Sequence, residues 1–319
     1  LQAEPCPAGD QGGCGKWLGY HYRQSFNKYS DPYSLDNLSS SLELAYVNLK
    51  ARHNLNFTIG KQFVNFGGYE YYVNSIRVRE FSEFNNLLTA YQAGISGNWQ
   101  VNPDHELCFQ IVNNRNGNDE DIYPTGLPEV PPRPRYPLCT RSTGIAIIWT
   151  RPCKLRYATA VGQQTRKRYS YYFTCGNTYE KGPLLTYLDV MYTRQGIDQH
   201  GVVSRLPGTP HTAMNTEYLS IIGDVDYRVH PQWNVYVKGA YETARVYKSN
   251  GDFRKGMYRR SWNAQSSVEF FPFKQLDLFV FVLYTYRGVI LEKAATRMGA
   301  IEPDTHRISL GLVYSIPVF

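Results

Sequence analysis

The feature that most constrains this chain is a two-residue alternation held over unusually long segments. Between 216 and 229, Leu219, Ile221, Gly223, Val225, Tyr227 and Val229 form one face, and Ser220, Asp224, Asp226 and Arg228 form the other, interrupted only by Ile222. The next segment sets Trp233, Val235, Val237, Gly239 and Tyr241 against Asn234, Lys238 and Glu242. Further on, Trp262, Ala264, Val268 and Phe270 oppose Asn263, Gln265, Ser267 and Glu269, and the last segment sets Ile308, Leu310, Leu312, Tyr314, Ile316 and Val318 against Ser309, Gly311 and Ser315. A period of two is that of a strand with unlike faces. Fourteen segments qualify, at 17–29, 38–50, 54–67, 88–100, 105–115, 141–151, 154–165, 168–176, 183–194, 214–229, 233–246, 257–270, 274–287 and 305–319. Globular strands run about five or six residues, whereas strands tilted across a bilayer need about nine to eleven. The lengths predict an all-β fold, a transmembrane antiparallel β-barrel of about 14 strands.

The connections sort the same way. Ala51-Arg52-His53, Val101-Asn102-Pro103-Asp104, Arg151-Pro152-Cys153, His230-Pro231-Gln232 and Phe271-Pro272-Phe273 are tight. The alternate connections, at 67–87, 116–140, 195–213, 247–256 and 288–304, are long, and only those near 30–37 and 165–168 are shorter. Short periplasmic turns and long outer loops are the pattern of outer-membrane barrels. Closure follows because hydrocarbon cannot satisfy an unpaired strand edge. Aromatics make up 15% of the chain, and Tyr and Trp gather at strand ends, as an interfacial girdle requires. We therefore expect an integral protein of the bacterial outer membrane, with the barrel at 17–319 and a Gly-rich periplasmic lead-in at 1–16. The start, Leu1-Gln2-Ala3-Glu4-Pro5, reads as that of a mature chain, and terminal Phe319 suits a barrel's last strand, although its parity falls with Ser315 and Pro317.

Thirty-four Lys and Arg against 27 Asp and Glu give a net charge of +7. The basic residues are spread along the chain rather than gathered into an arm, so nucleic acid is not an expected partner. Six cysteines, Cys6, Cys14, Cys108, Cys139, Cys153 and Cys175, include no Cys-x-x-Cys pair, which disfavours zinc and leaves one or two structural disulfides with free thiols. The seven histidines lack metal spacing, and there is neither a Gly-x-Ser-x-Gly elbow nor a phosphate-cradling glycine loop. His21 with Ser25 is the nearest approach to a lipid-facing His/Ser pair, and its parity points inward. No catalytic residue, metal or cofactor is expected.

Glu43-Leu-Ala-Tyr-Val-Asn-Leu-Lys50 and Phe57-Thr-Ile-Gly-Lys-Gln-Phe-Val-Asn-Phe-Gly-Gly-Tyr-Glu70 carry a resemblance. The Gly60-Lys61-Gln62 step, then Phe66-Gly67-Gly68 and Phe84-Asn85-Asn86, resemble porins of the Bacteroidetes lineage related to the phosphate-selective porin O and P family. The resemblance is specific over 43–100 and is barrel texture elsewhere. It implies an outer-membrane barrel that passes small solutes around an inward-folded loop. It does not carry phosphate selectivity, and 14 strands are fewer than the 16 expected of those phosphate porins.

Parity gives the candidate lining. Inward faces carry His21, Arg23, Arg156, Arg228 and Lys238 together with Glu106, Asp189, Asp224, Asp226, Glu242 and Glu269. Mixed signs suit pairing that braces the wall, whereas a selective anion pore wants a ring of one sign. Lys61 shares parity with outward Phe57 and Ile59 unless Gly60 marks a bulge. The 67–87 loop is the constriction candidate, with Arg77 and Arg79 facing Glu80 and Glu83 across a transverse field. Arg166, Lys167 and Arg168, and Arg254, Lys255, Arg259 and Arg260, should form an outer-rim basic patch toward lipopolysaccharide phosphates. The expected activity is passive diffusion of small polar solutes, anions included. The alternative is a non-conducting barrel subunit of a larger outer-membrane assembly. Expected partners are outer-membrane lipids and lipopolysaccharide, the solutes, and a homotrimer or a hetero-complex with other outer-membrane proteins.

Overall fold

The computed structural model describes residues 10–14, 17–24, 42–73, 78–114, 123, 125–127, 140–150, 152–165, 167–206, 208–209, 211–273 and 275–314, with backbone alone at 10–14 and 140–146. Fifteen strands form one sheet in sequence order, each antiparallel to the next. They are β1 (Asp10–Cys14), β2 (Leu18–Gln24), β3 (Leu42–Arg52), β4 (Leu55–Phe63), β5 (Tyr91–Asn102), β6 (His105–Asn113), β7 (Thr140–Thr150) and β8 (Cys153–Thr165). Then follow β9 (Arg168–Lys181), β10 (Leu184–Ile197), β11 (Met214–His230), β12 (Trp233–Val246), β13 (Gly256–Phe270), β14 (Leu278–Leu291) and β15 (Thr305–Tyr314). β2 to β15 are the fourteen segments read from the sequence. The fifteenth, β1, arises within the Gly-rich stretch and pairs with β2. β1 and β15 are the sheet's edges, and no ladder joins them among the described residues. Phe319 lies outside the described residues.

The connections at 53–54, 103–104, 151–152, 182–183, 231–232 and 271–277 leave one end of the sheet, and 25–41, 64–90, 114–139, 198–213, 247–255 and 292–304 leave the other. Only 166–167 is short on the long-loop side.

The alternation lands as the period demands. Tyr171, Phe173, Ile221, Val225, Val235, Val237, Trp262, Val268, Ile308, Leu310 and Leu312 stand exposed on the outer face. Their strand neighbours Tyr172, Thr174, Ser220, Asp224, Tyr236, Lys238 and Gln265 are buried on the inner face. Contiguous apolar surface of this extent is untenable in water and is what a hydrocarbon environment selects. No described helix is long and apolar enough to cross a membrane.

The core lies inside the sheet. One connection, 64–90, touches inner-face residues from Gln110 on β6 to Arg307 on β15. Laid flat at the usual ~4.8 Å spacing, those ten strands would span about 43 Å. Laid flat, β15 would also lie about 48 Å from β5, whereas the stretch from Glu80, which pairs with Arg307, to Ala90 at the neck extends at most about 36 Å and includes a helical turn, so the sheet wraps around the segment.

Candidate functional site

The wrapped segment is built as a plug. Its neck closes where the Val64 amide donates to the Ala90 carbonyl at 2.8 Å. The Asn65 amide donates to Gln110 Oε1 at 2.9 Å, and Ser96 Oγ donates to Gln62 Oε1 at 2.6 Å. Two successive glycines then turn the chain against the wall. Gly67 and Gly68 have φ of +78° and +77°, a region that L side chains avoid. A Cβ on Gly67 would lie 2.6 Å from Ala158 Cβ, and one on Gly176 would lie 2.8 Å from Gly68 Cα. The Phe66-Gly67-Gly68 step is therefore a close-packing device.

The first half of the plug is held through its backbone. The amides of Tyr69 and Glu70 both donate to Asp189 Oδ2, at 2.7 and 2.8 Å. Around this bifurcated anchor the plug aromatics pack on wall aromatics, Phe66 on Tyr172 with ring centres 5.1 Å apart and Tyr69 on Tyr187 at 5.0 Å. Arg156 lies over the Tyr72 ring at 4.7 Å. Desolvation raises the Tyr72 phenol above its ordinary range, opposed by the Arg156 charge, so the ring stays neutral.

The second half is ionic. Ser82 caps the short helix α1 (Glu83–Asn86) and donates its hydroxyl to Glu70 Oε2 at 2.6 Å. Lys238 Nζ reaches Glu70 Oε1 at 2.5 Å, both side chains being fully buried, and also donates to the Glu80 carbonyl. The amides of Glu83 and Phe84 donate to Glu242, at 3.2 and 2.8 Å, so a wall carboxylate meets the exposed N–H groups of a helix start. Arg79 pairs with Glu269 and lies over Phe279 and Phe281 at 4.9 and 4.7 Å. Glu80 pairs with Arg307. Glu83 meets Arg259 at 2.5 Å and Arg287 at 3.1 Å, and both arginines also bind Glu302. A second connection, 198–213, packs beside the plug: His200 lies on Phe84 at 4.6 Å, and Asp198 accepts from Gly201, Ser204 and Tyr218.

These contacts redistribute the expected charges. Arg79 does not face Glu80 and Glu83 across an open field. Each finds an opposite charge on the wall, because the plug lies against β12 to β15 rather than spanning free space. Arg77 lies outside the described residues. Lys238 and Asp224 are register partners on the inner face. Glu242 is buried, and Asp226 is half-buried one step from Asp224. Arg23 pairs with Glu43 at 2.7 Å and hydrogen-bonds Tyr91. Arg228 lies over Phe271 at 3.7 Å, near a short turn. Of the basic patch, Arg254 and Lys255 are exposed in the 247–255 connection, Lys167 sits in the 166–167 turn, and Arg166 is outside the described residues. Arg168 donates to Asn215 Oδ1 at 2.9 Å, and Arg260 pairs with Glu292 at 3.0 Å. Arg259 leaves the patch: its parity with Ser261 turns it inward onto the plug. Lys61 keeps the parity of Ile59, since the ladders to β3 and β5 run through Gly60 without a shift.

Cys108, Cys153 and Cys175 carry free thiols; Cys6 and Cys139, and the Cys14 side chain, lie outside the described set. Among the described residues no three His, Cys, Asp or Glu side chains gather as metal ligands. The sequence reading passed over Glu70, Arg287, Glu302 and Arg307. For the two arginines the inner-face parity of β14 and β15 was an available signal, and for the plug helix Ser82 was a cap signal.

A strand-crossed barrel with a loop folded into its lumen is a channel architecture. The family model described as phosphate-selective porin O and P matches residues 11–316. The chain belongs to this family. Solved structures share the fold at low identity. OmpF of Salmonella typhi, in complex with daunomycin, superposes with a TM-score of 0.63 at 12% identity, covering 96% of this chain and 88% of that one. The anion-selective porin from Comamonas acidovorans gives 0.60 at 10%, covering 95% and 86%. The outer-membrane channel DcaP of Acinetobacter baumannii gives 0.59 at 12%, covering 97% and 82%. Among curated proteins, none matches the chain. This porin is an integral outer-membrane β-barrel protein for small-solute diffusion, and its family and fold are those of a channel rather than an enzyme.

Proposed function

We propose that this porin passes small polar solutes, anions among them, passively between the 64–90 plug and the barrel wall, and that it is of the Bacteroidetes type on its Gly60-Lys61-Gln62 and Phe66-Gly67-Gly68 steps. One observation carries the reading: the plug is anchored to the wall by Asp189, Glu242 and Glu269 acting on its amides and on Arg79. Such anchoring fixes an aperture's outline and leaves passage to whatever lumen the plug does not fill. The lining around the plug carries Arg23, Arg156 and Arg228 with Asp224 and Asp226, so the field is mixed and selectivity is modest. Arg254, Lys255 and Lys167 at the outer end would meet lipopolysaccharide phosphates, and the assembly would be a homotrimer. Single-channel conductance of the purified, heat-modifiable protein tests the proposal, with stepwise openings expected.

A second reading is favoured by the burial of Glu70 and Lys238: a plug this tightly packed would seal the lumen, making the barrel a structural subunit of an outer-membrane assembly. Folded protein without conductance, copurifying with another outer-membrane protein at fixed stoichiometry, would establish that reading and remove the first.

A further inference from the structure

The outer face of β4 to β6 holds a groove that the channel reading does not use. Three in-register rows run across this face: Leu55, Trp99 and Leu107; Phe57, Gly97 and Phe109; Ile59, Ile95 and Ile111. Gly97 is the gap in the middle row, where a Cβ would meet the Phe57 ring at 3.3 Å. Phe109 stands 65% exposed beside it. The groove has a volume of about 1410 Å³, above the ~300–1,000 Å³ of most small-molecule pockets.

One cation lines this apolar surface. The β3–β4 ladder shifts register between Lys50 and Arg52 and sets Arg52 opposite Leu55. Without that bulge Arg52 would share the inner-face parity of Tyr46, which stacks on buried His21. Bulges re-aim side chains in this way, and here the result is that Arg52 lines the groove with Leu55 and Phe57. Arg52 is exposed and makes no ion pair among the described residues. It adjoins the 53–54 turn, one of the short connections that mark the periplasmic end.

We propose that the groove binds an anionic glycerophospholipid of the periplasmic leaflet, with its acyl chains over the Gly97 notch and its phosphate on Arg52. Charge complementarity selects this occupant. An apolar groove with one cation at its interfacial end matches a molecule with apolar chains and one anionic head. Lipopolysaccharide would present its phosphates at the opposite end of the barrel. A second copy of the chain would have to bring an acidic group to Arg52 across an apolar face. The inference rests on the membrane placement of the wall and not on conductance, so a sealed lumen leaves it standing.

The test titrates the full-length folded protein with dioleoylphosphatidylglycerol or dioleoylphosphatidylcholine and counts retained lipid by native mass spectrometry. One phosphatidylglycerol is retained in preference to phosphatidylcholine. Arg52→Gln weakens that retention about fivefold, the scale of one basic residue at a membrane surface. Gly97→Leu fills the notch and weakens it too, while Lys181→Gln, which removes a cation at another short turn, leaves it unchanged. Equal retention by the wild type and Arg52→Gln overturns the proposal, as does equal retention of the two lipids, preference for lipopolysaccharide, or a second copy excluding lipid from the groove. Should Gly97→Leu fail to assemble, Arg52→Gln, at the exposed end of β3, decides alone.

Discussion

The two halves of the plug are fixed to the same wall by different physics. From Gly67 to Tyr72 the backbone amides meet one carboxylate and the rings meet rings and the Arg156 cation, while the Glu70 side chain reaches across to Lys238 and the ionic half. From Arg79 to Asn86 nearly every contact is an ion pair or a carboxylate on an amide, and the set grades from fully buried at Glu70–Lys238 to half-exposed at Glu80–Arg307. The first half therefore sets position by shape, since Gly67, Gly68 and Gly176 leave no room for a side chain. The second sets it by charge, and charge can be altered one residue at a time. The comparison teaches that the plug is a hinge with a rigid side and a tunable side.

Removing the most buried charge should break this picture hardest. Lys238→Met leaves the buried Glu70 carboxyl without its counter-charge, a change that costs about 3–5 kcal/mol where it has been measured. We expect a lower unfolding temperature, or a plug cleaved by protease inside an intact, heat-modifiable barrel. The double variant Lys238→Met with Glu70→Leu should recover most of the loss, because the unpaired carboxyl is then gone. A single variant as stable and protease-resistant as the wild type would refute the anchoring role of this pair.

The next effect belongs to the rigid side. Asp189→Leu strands the Tyr69 and Glu70 amides, at about 1–3 kcal/mol for each group left unsatisfied. Conductance should become noisier as the first half detaches, and proteolysis should begin at 67–72 rather than at 79–86. Cleavage that still begins at 79–86 would mean that the two halves do not move separately.

How much of this was legible in the sequence follows from what each face has to satisfy. The outer face answers to one solvent, so any apolar residue serves and a period of two is enough to find it; Val235, Val237 and Trp262 are examples. The inner face answers to partners far away in sequence. Glu70 and Lys238 are 168 residues apart, and no local pattern joins them. Their meeting depends on the wrap of the sheet and on how deeply the loop inserts. The Gly67-Gly68 turn was readable because glycine pairs mark special backbone, but the surface it would press on was not. Strand β1 was missed because Asp10-Gln11-Gly12-Gly13-Cys14 has no apolar face to show.

On the charged side, Glu269→Gln should sharpen the comparison without unfolding anything. Arg79 keeps its contacts with Phe279 and Phe281 but loses its counter-charge, so the field beside the plug gains one positive unit. The reversal potential in a salt gradient should move toward the anion, and thermal stability should fall by less than for Lys238→Met, because the new amide oxygen still accepts from the buried Arg79 and the cation–π contacts remain in place. A shift toward the cation would show that solutes do not pass beside Arg79.

The smallest effect is expected at the exposed end. Arg307 is more than half exposed, and pairs of that kind contribute about 0–1 kcal/mol, less as salt rises. Arg307→Gln should leave the unfolding temperature nearly unchanged and alter conductance only at low ionic strength, where the freed Glu80 carboxylate is unscreened. The same substitution at Arg287 should do slightly more, because Arg287 bridges Glu83 and Glu302 and so ties the plug to the 292–304 connection. If both variants behave alike at low and high salt, the exposed end of the plug is held by packing around Phe84 and Ala295, and the graded ionic side reduces to its buried core.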